Sequence, residues 1–162
     1  MRLPSPNHRA FAIICLVFFL ASVSSTSEVS MKPPTNAQSA EQATRSTIDA
    51  FNDAFNRHDL EGVMACFHEQ PVIVGGEGRR CEGRDDVRRN YETGFALMPD
   101  CRCDLKVATG NSGRAVAESF FHGTRQDSGK VTEAMGAEVM EIVDGKIKEI
   151  RDYHRPLHAK AA

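Results

Sequence analysis

Two ionisable residues near the end of the chain, Asp152 and His154, have the types and spacing that acid/base chemistry requires. Residues two apart on a β-strand point to the same face, so both side chains are expected on one side of a sheet. Burial would strip water from the Asp152 carboxyl and raise its pKa toward the range of a general acid or base, and His154 would orient it or relay a proton. The structural alternative is that Asp152 pairs with Arg125 or Arg155 and that His154 is a partly exposed residue at a strand end.

The expected neighbours of Asp152 follow from the turn before its strand. The Asp-Gly dipeptide at 144–145 suits a two-residue hairpin, because both central positions need positive φ. A regular hairpin pairs Ala137 with Asp152 and Glu138 with Arg151, whereas a bulge would shift this register. The regular register predicts that one face of the hairpin carries Met135, Ala137, Val139, Ile150, Asp152 and His154.

Further candidate pocket residues come from the preceding strand and the helices. Glu118, Phe120 and His122 alternate along one predicted strand, so they would share a face, with His122 as a second candidate catalytic histidine. The intervening residues 119 and 121 make the opposite face an alternative. The helices contribute three candidate ligand contacts, Phe51, Phe55 and Tyr91, although a mid-helix tyrosine is more typical of a core position.

Three helices followed by a long antiparallel meander would position these residues. Apolar residues recur at helical spacing from Ser39, Asp59 is suited to cap a second short helix, and Pro99 ends a third. Alternating apolar and polar residues between turn residues then predict strands. The predicted ranges are 85–98 for the third helix and 71–74, 101–109, 114–123, 130–143 and 146–154 for the strands. The fold class is therefore α+β, with helices packed on one face of a curved antiparallel sheet.

The first 27 residues have the order of a secretory signal peptide. Arg2 and Arg9 precede the apolar run at 10–21, and small residues follow it. We expect the protein to be secreted or periplasmic, with a disordered spacer at 28–38 and one domain at 39–158; an uncleaved anchor is the alternative. Removing 27 of the 162 residues leaves 135, and the loss of the two arginines leaves a formal net charge of −4, which argues against nucleic acid or an anionic membrane as partner.

The cysteines and the missing motifs limit the chemistry. Cys66, Cys81, Cys101 and Cys103 would remain after export, where disulfides can persist, but Cys101 and Cys103 point the same way on a strand and cannot easily bond to each other. Histidines at metal-ligand spacing do not surround them, so no metal is expected. Because nucleotide-binding, serine-elbow and zinc-protease motifs are missing from the sequence, no cofactor is expected either.

Four segments in order resemble the nuclear-transport-factor-2-like superfamily, and within it the SnoaL-like polyketide cyclases and ketosteroid isomerases. These are AFNRHDLEGVMACF at 54–67, the short strand with its glycine-rich turn, EGRDDVRRNY at 82–91 and VDGKIKEIRDY at 143–153. The resemblance implies a cone-shaped sheet closed by the first helix, an apolar pocket with polar groups deep inside, and a homodimer formed through the convex face of the sheet.

The resemblance also bears on the catalytic residues. The steroid isomerases use a tyrosine, a general-base aspartate and a hydrogen-bonding acid, and the corresponding positions here hold Phe51, Gly75 and Ala137. That mechanism is therefore not expected. The SnoaL-like cyclases use an aspartate on the last strand, which Asp152 matches, and a histidine whose position falls near Arg125, with His122 close by.

Three hypotheses follow for the function. In the first, an exported SnoaL-like protein binds a small, largely apolar organic molecule and performs isomerase, cyclase or dehydratase chemistry on it. In the second, the same pocket binds a ligand without catalysis. In the third, the domain is an interaction module whose pocket is filled by phenylalanines. The lining of the pocket separates the three.

Overall fold

The computed structural model describes residues 36–111 and 113–157, so the predicted leader, most of the predicted spacer and His158 lie outside the described residues. The described chain contains helices α1 (Asn36–Asn56), α2 (Leu60–Ala65) and α3 (Gly83–Leu97). Its strands are β1 (Phe67–Val74), β2 (Arg80–Glu82), β3 (Arg102–Asn111), β4 (Arg114–Thr124), β5 (Val131–Val143), β6 (Lys146–Asp152) and β7 (Arg155–Pro156). The predicted α+β class is confirmed.

The helices form where the apolar periodicity indicates. In α1 the buried residues include Ile48, Phe51 and Ala54, three residues apart, which gives the helix one apolar side for the core. The helix begins three residues earlier than Ser39, so 36–38 are helical and do not belong to the spacer. Asp59 caps α2, because its Oδ1 accepts a hydrogen bond from the Gly62 backbone N–H at 2.8 Å.

The strands form a single curved, unclosed sheet in the order β2-β1-β6-β5-β4-β3, and β7 pairs with β5. Neighbouring strands are antiparallel except for β1 and β6, which are parallel. β1 begins at Phe67 and not at residue 71, because it pairs with β6, a partner far away in the sequence. The helices pack against one face of the sheet, and the core between them includes Ile48, Val63, Met64, Met140, Ile147 and Ile150.

A β-bulge in β6 changes the predicted hairpin register. Pairing starts as expected with Ile142 opposite Ile147, but Glu141 then pairs with Glu149, which leaves Lys148 as an extra residue. Both Ile147 and Ile150 are fully buried, although residues three apart on a regular strand face opposite sides. The bulge allows both isoleucines to enter the core.

The bulge reverses the side of β5 that faces the end of β6. Glu138 pairs with Asp152 and Val139 with Arg151, so the predicted pairs Ala137–Asp152 and Glu138–Arg151 are wrong. On β5 the residues that face the helices are the even-numbered ones, including Glu138 and Met140.

Candidate active site

A cavity of about 320 Å³ lies between α1, α3 and the inner face of the sheet. This volume is near the lower end of the range for small-molecule sites. Five aromatic side chains line it and touch one another, with ring centroids between 5.3 and 6.5 Å apart along the cluster. They are Phe51, Phe55, Tyr91, Phe95 and Phe121.

Beside the cavity, the end of α1 is attached to β3 and its neighbouring residues by hydrogen bonds between side chains and backbone. The Asn56 amide donates to the Cys103 carbonyl at 3.0 Å and accepts from the Cys103 N–H at 2.8 Å, as a neighbouring strand would. The His58 ring stacks on Phe95 with centroids 4.7 Å apart and its Nε2 lies 2.8 Å from the Cys101 carbonyl. These contacts hold helix and sheet apart at a fixed spacing around the cavity.

Polar side chains on one side of the cavity form a hydrogen-bonded chain. Asp152 Oδ1 lies 2.7 Å from His154 Nδ1, and His154 Nε2 lies 2.8 Å from Ser119 Oγ. Asp152 Oδ1 also accepts the His154 backbone N–H at 2.8 Å. All three residues line the cavity.

Gly136 explains how His154, which follows the end of β6, reaches Ser119 on β4. The chain passes directly over Gly136, where a Cβ atom would lie 2.4 Å from His154 Cα and 2.7 Å from the Tyr153 carbonyl. Gly136 is also the pairing partner of Ser119. Only a residue without a side chain lets the segment cross β5 this closely.

Glu138 adds a second carboxyl group to the same wall. It pairs with Asp152 in the sheet and lines the cavity. Burial, together with the negative charge of Asp152, raises the pKa of Glu138 to about 7, and His154 opposes this only in part. The Glu138 side chain makes no hydrogen bond to another described residue.

The pKa of Asp152 is shifted in the opposite direction from the predicted one. Burial is the largest single effect on Asp152 and raises its pKa, but the hydrogen bonds and the charge of His154 together outweigh it, and the pKa is lowered. The hydrogen bond that the His154 ring donates to Asp152 raises the pKa of His154 against the opposing effect of burial. The predicted raised pKa of Asp152 is therefore wrong, because the partner stabilises its charged form.

Two weak acids complete the polar lining. Burial raises the pKa of Tyr91 well above 10, and burial raises the pKa of the Cys103 thiol to about 11. Both groups are therefore neutral at physiological pH and can only donate a hydrogen bond or accept one. The Tyr91 hydroxyl makes no hydrogen bond to another described residue.

The structure brings six of the predicted site residues together at the cavity and places the other six elsewhere. Lining the cavity are Phe51, Phe55, Tyr91, Ile150, Asp152 and His154. The side chains of Glu118, Phe120, His122, Met135, Ala137 and Val139 lie on the outer face of the sheet, so their predicted place in the pocket is wrong.

Two causes explain these six positions. For Met135, Ala137 and Val139 the cause is the β6 bulge. Glu118, Phe120 and His122 lie outside because the inner face of β4 is the alternative one. That face carries Ser119 and Phe121. His122 Nε2 lies 4.0 Å from Asp104 Oδ2. His122 is therefore not a neighbour of Asp152 in the sheet.

Sequence reasoning missed Ser119 and Glu138 as site residues. The sequence indicated Ser119 only as one of the residues on the alternative face of β4. For Glu138 the available signal was the spacing of Ile147 and Ile150, because two apolar residues three apart on a strand indicate a bulge. The arginine alternative for Asp152 is also wrong: its ionic partner is His154, and Arg125 pairs with Asp127 at 2.5 Å.

The four described cysteines are unpaired, with Cys101 and Cys103 in the cavity wall.

Within residues 36–111 and 113–157, no helix is both long enough and apolar enough to cross a membrane.

The curved sheet packed against helices, with a cavity between them, defines an α+β fold class, and comparison with known proteins identifies the family. Residues 48–150 match the SnoaL-like domain. The chain therefore belongs to the SnoaL-like family of the nuclear-transport-factor-2-like superfamily. No match was found among curated proteins.

Solved structures share the fold at low sequence identity. A candidate polyketide cyclase from Xanthomonas campestris pv. campestris is 22% identical with a TM-score of 0.64, covering 69% of this chain and 90% of that one. A Mycobacterium tuberculosis protein in complex with estradiol-17β-hemisuccinate is 17% identical with a TM-score of 0.61, covering 68% and 92%. A cystatin-fold protein from Novosphingobium aromaticivorans is 17% identical with a TM-score of 0.57, covering 67% and 95%.

Proposed function

We propose that this protein is a cofactor-free acid/base enzyme of the isomerase, cyclase or lyase type that acts on a small, largely apolar organic molecule. The observation that carries the proposal is the Glu138 carboxyl group, which faces an aromatic cavity and has a pKa of about 7. A carboxyl group with this pKa is about half protonated near neutrality, so it can both remove and return a proton.

The neighbouring pair gives Glu138 a fixed electrostatic setting. Burial and then the negative charge of Asp152 hold the proton on Glu138, while His154 keeps Asp152 ionised. In this mechanism Glu138 takes a proton from a carbon next to a carbonyl group and returns it at another position. The Tyr91 hydroxyl, which stays protonated, donates a hydrogen bond to the oxygen that gains negative charge.

The lining favours an uncharged substrate. No lysine or arginine of the described chain lines the cavity, and its carboxyl groups would repel an anion. Five aromatic rings offer apolar contact instead. The estradiol ester bound by the Mycobacterium tuberculosis neighbour supports a small organic ligand in this fold.

The test is exchange of carbon-bound hydrogen, which does not require the natural substrate. Small apolar ketones that raise the melting temperature of the protein are incubated with it in D₂O, and deuterium uptake is followed by NMR. We expect catalysed uptake that falls about 100-fold or more in Glu138→Gln while ketone binding persists. Glu118→Gln, the same change on the outer face, is the matched control and leaves the rate unchanged.

A second pair of variants tests which histidine supports the exchange reaction. His154→Gln is expected to slow exchange, whereas His122→Gln on the outer face is not. If bound ketones exchange no faster than in buffer, or if Glu138→Gln exchanges at the wild-type rate, the enzyme proposal fails and a binding protein without catalysis replaces it.

We also propose that the protein is exported and that residues 1–27 are removed. The apolar run at 10–21 behind Arg2 and Arg9 supports this. Mature protein from a secreting host should begin between Val23 and Glu28 by mass spectrometry. An intact Met1 in the exported fraction would contradict cleavage.

A homodimer through the outer face of the sheet is the proposed assembly. The support is a strip of apolar side chains on this face, in which Val107 is 53% and Met135 56% exposed. We call it the outer strip; it comprises Val107, Val116, Phe120, Met135 and Val139. Exposed apolar area of this kind on adjacent strands is typical of protein interfaces.

A further inference from the structure

Ser119 has the surroundings of an activated nucleophile. Its Oγ lies 2.8 Å from His154 Nε2, and the other ring nitrogen of His154 lies 2.7 Å from Asp152 Oδ1. These are the two contacts that define a nucleophile, its base and the acid that orients the base, and such a set is recognised by geometry and not by its order in the sequence. The three side chains share one cavity wall.

The ionised Asp152 carboxylate favours the tautomer of His154 that nucleophile activation needs. Because Asp152 Oδ1 accepts from Nδ1–H, the Nε2 atom of the neutral ring is left to accept the Ser119 proton. Asp152 is held in place by the same oxygen, which accepts the His154 backbone N–H. The close crossing over Gly136 then fixes the whole His154 segment against β5.

We propose that Ser119 is a catalytic nucleophile for acyl transfer and that the cavity hydrolyses small, uncharged carboxylic esters or lactones. Ser119 Oγ bonds to the ester carbonyl carbon as His154 Nε2 takes its proton. The tetrahedral intermediate collapses, the C–O bond to the alcohol breaks, and His154 protonates the leaving oxygen. Water then bonds to the acyl carbon as His154 takes its proton, the bond from that carbon to Ser119 Oγ breaks, and His154 returns the proton to Ser119. An ester and a water thus give an acid and an alcohol.

The rest of the lining is suited to this reaction. The Tyr91 hydroxyl lines the same cavity without a hydrogen-bond partner in the described chain, so it can donate to the oxyanion of the intermediate. The aromatic rings accept an uncharged acyl group. The carboxylate product is repelled by Asp152 and leaves.

Ester hydrolysis at Ser119 would use residues of the proposed acid/base site but does not depend on that proposed function. Carbon–hydrogen exchange requires Glu138 and no covalent intermediate, whereas ester hydrolysis requires an acyl group on Ser119. The two proposals can therefore fail separately.

The experiment is active-site labelling of the full chain. The protein is treated with a small alkyl fluorophosphonate, the labelled peptide is mapped by mass spectrometry, and the release of 4-nitrophenol from 4-nitrophenyl acetate is followed in parallel. We expect the adduct on Ser119 and enzymatic hydrolysis that falls about 100-fold or more in Ser119→Ala. Ser128→Ala, an exposed turn position, is the matched control and leaves both readouts unchanged.

Each outcome decides the proposal. An adduct on Ser119 that His154→Gln suppresses supports it, even where Ser119→Ala fails to fold. No adduct on Ser119 in folded wild-type protein, or equal hydrolysis by a folded Ser119→Ala, overturns it. Deuterium exchange that persists in Ser119→Ala without any labelling removes only this proposal, and labelling without exchange removes only the acid/base function.

Discussion

Asp152 and His154 lie two residues apart and face the same cavity, and each changes the titration of the other. His154 lowers the pKa of Asp152 against the effect of burial, and Asp152 raises that of His154. The charge on Asp152 is in turn one reason why Glu138 keeps its proton. In the proposed mechanism the acid/base group is therefore Glu138, the carboxyl without a hydrogen-bonding partner among the described residues, and the charge of Asp152 helps to raise its pKa.

Replacing Asp152 by asparagine tests this pairing. Without the carboxylate, the pKa of His154 should fall, because the hydrogen bond and the charge that raise it are removed. Folding stability at neutral pH should fall by about 1 kcal/mol, since the Asp152 side chain is 39% exposed and solvent weakens the pair. NMR titration of the histidine rings measures the first effect, with His122 as internal control. An unchanged His154 titration would contradict the pairing.

Glu138 makes the stability of the protein depend on pH. Its pKa is near 4.5 when unperturbed and about 7 in the folded chain, so the folded state binds the proton more tightly. Stability from this group is fully present below about pH 4.5, declines as the pH rises toward 7 and is lost above that, by about 3 kcal/mol in all.

Urea unfolding of Glu138→Gln at pH 5 and pH 8 isolates this contribution from that of His154. Relative to wild type, the variant should gain stability between the two pH values, because glutamine has no proton to lose. The outer-face variant Glu118→Gln should show no such gain. Parallel pH profiles for wild type and Glu138→Gln would mean that Glu138 is ionised throughout this range.

At the scale of the elements, local sequence signals predicted most of the architecture but not its register. Helical periodicity, the Asp59 cap and the Asp-Gly turn at 144–145 correspond to observed elements. The pairing of β1 with β6 could not be read from local patterns, because the two strands are distant in the sequence. The bulge at Lys148 had a local signal in the three-residue spacing of Ile147 and Ile150, which a regular hairpin register overlooks. One extra residue was enough to exchange Ala137 for Glu138 in the candidate site.

Gly136 provides a prediction at this scale. In Gly136→Ala the new Cβ would meet the backbone of residues 153–154 at distances down to 2.4 Å, so His154 must move away from Ser119. We expect a loss of about 1 to 3 kcal/mol in unfolding free energy and slower deuterium exchange. Calorimetry and the exchange assay measure the two effects.

Gly94→Ala is the control for this substitution. A Cβ at Gly94 meets nothing within 4 Å, and the residue lies inside α3, so alanine should stabilise the protein by up to about 1 kcal/mol. If Gly136→Ala behaved like Gly94→Ala, the close crossing at β5 would be refuted.

At the scale of the whole molecule, the sheet has two differently used faces. The inner face carries the cavity and the ionisable cluster, and the outer face carries the outer strip. The sequence resemblance predicted this division, and the family is confirmed. The alternation of residues along β4 could not decide which of its two sides faces the cavity. Both faces of β4 carry apolar and polar residues, so burial could not be inferred from composition.

The outer strip leads to a prediction about assembly. Met135→Lys places a charge at one end of the outer strip, opposite Phe120, and should turn a dimer into a monomer. Sedimentation analysis of wild type and variant gives the two masses. A wild-type protein that is monomeric at concentrations up to about 1 mM would contradict the proposed dimer.

In the proposed site, Glu138 carries the exchangeable proton near neutral pH. The most direct measurement is a ¹³C NMR titration of the glutamate side-chain carboxyls in labelled wild-type protein, with Glu138→Gln to assign the resonance. We expect one glutamate that titrates at about pH 7 and whose resonance is absent from the variant. A Glu138 resonance that titrates near 4.5, with no glutamate titrating around neutrality, would contradict it.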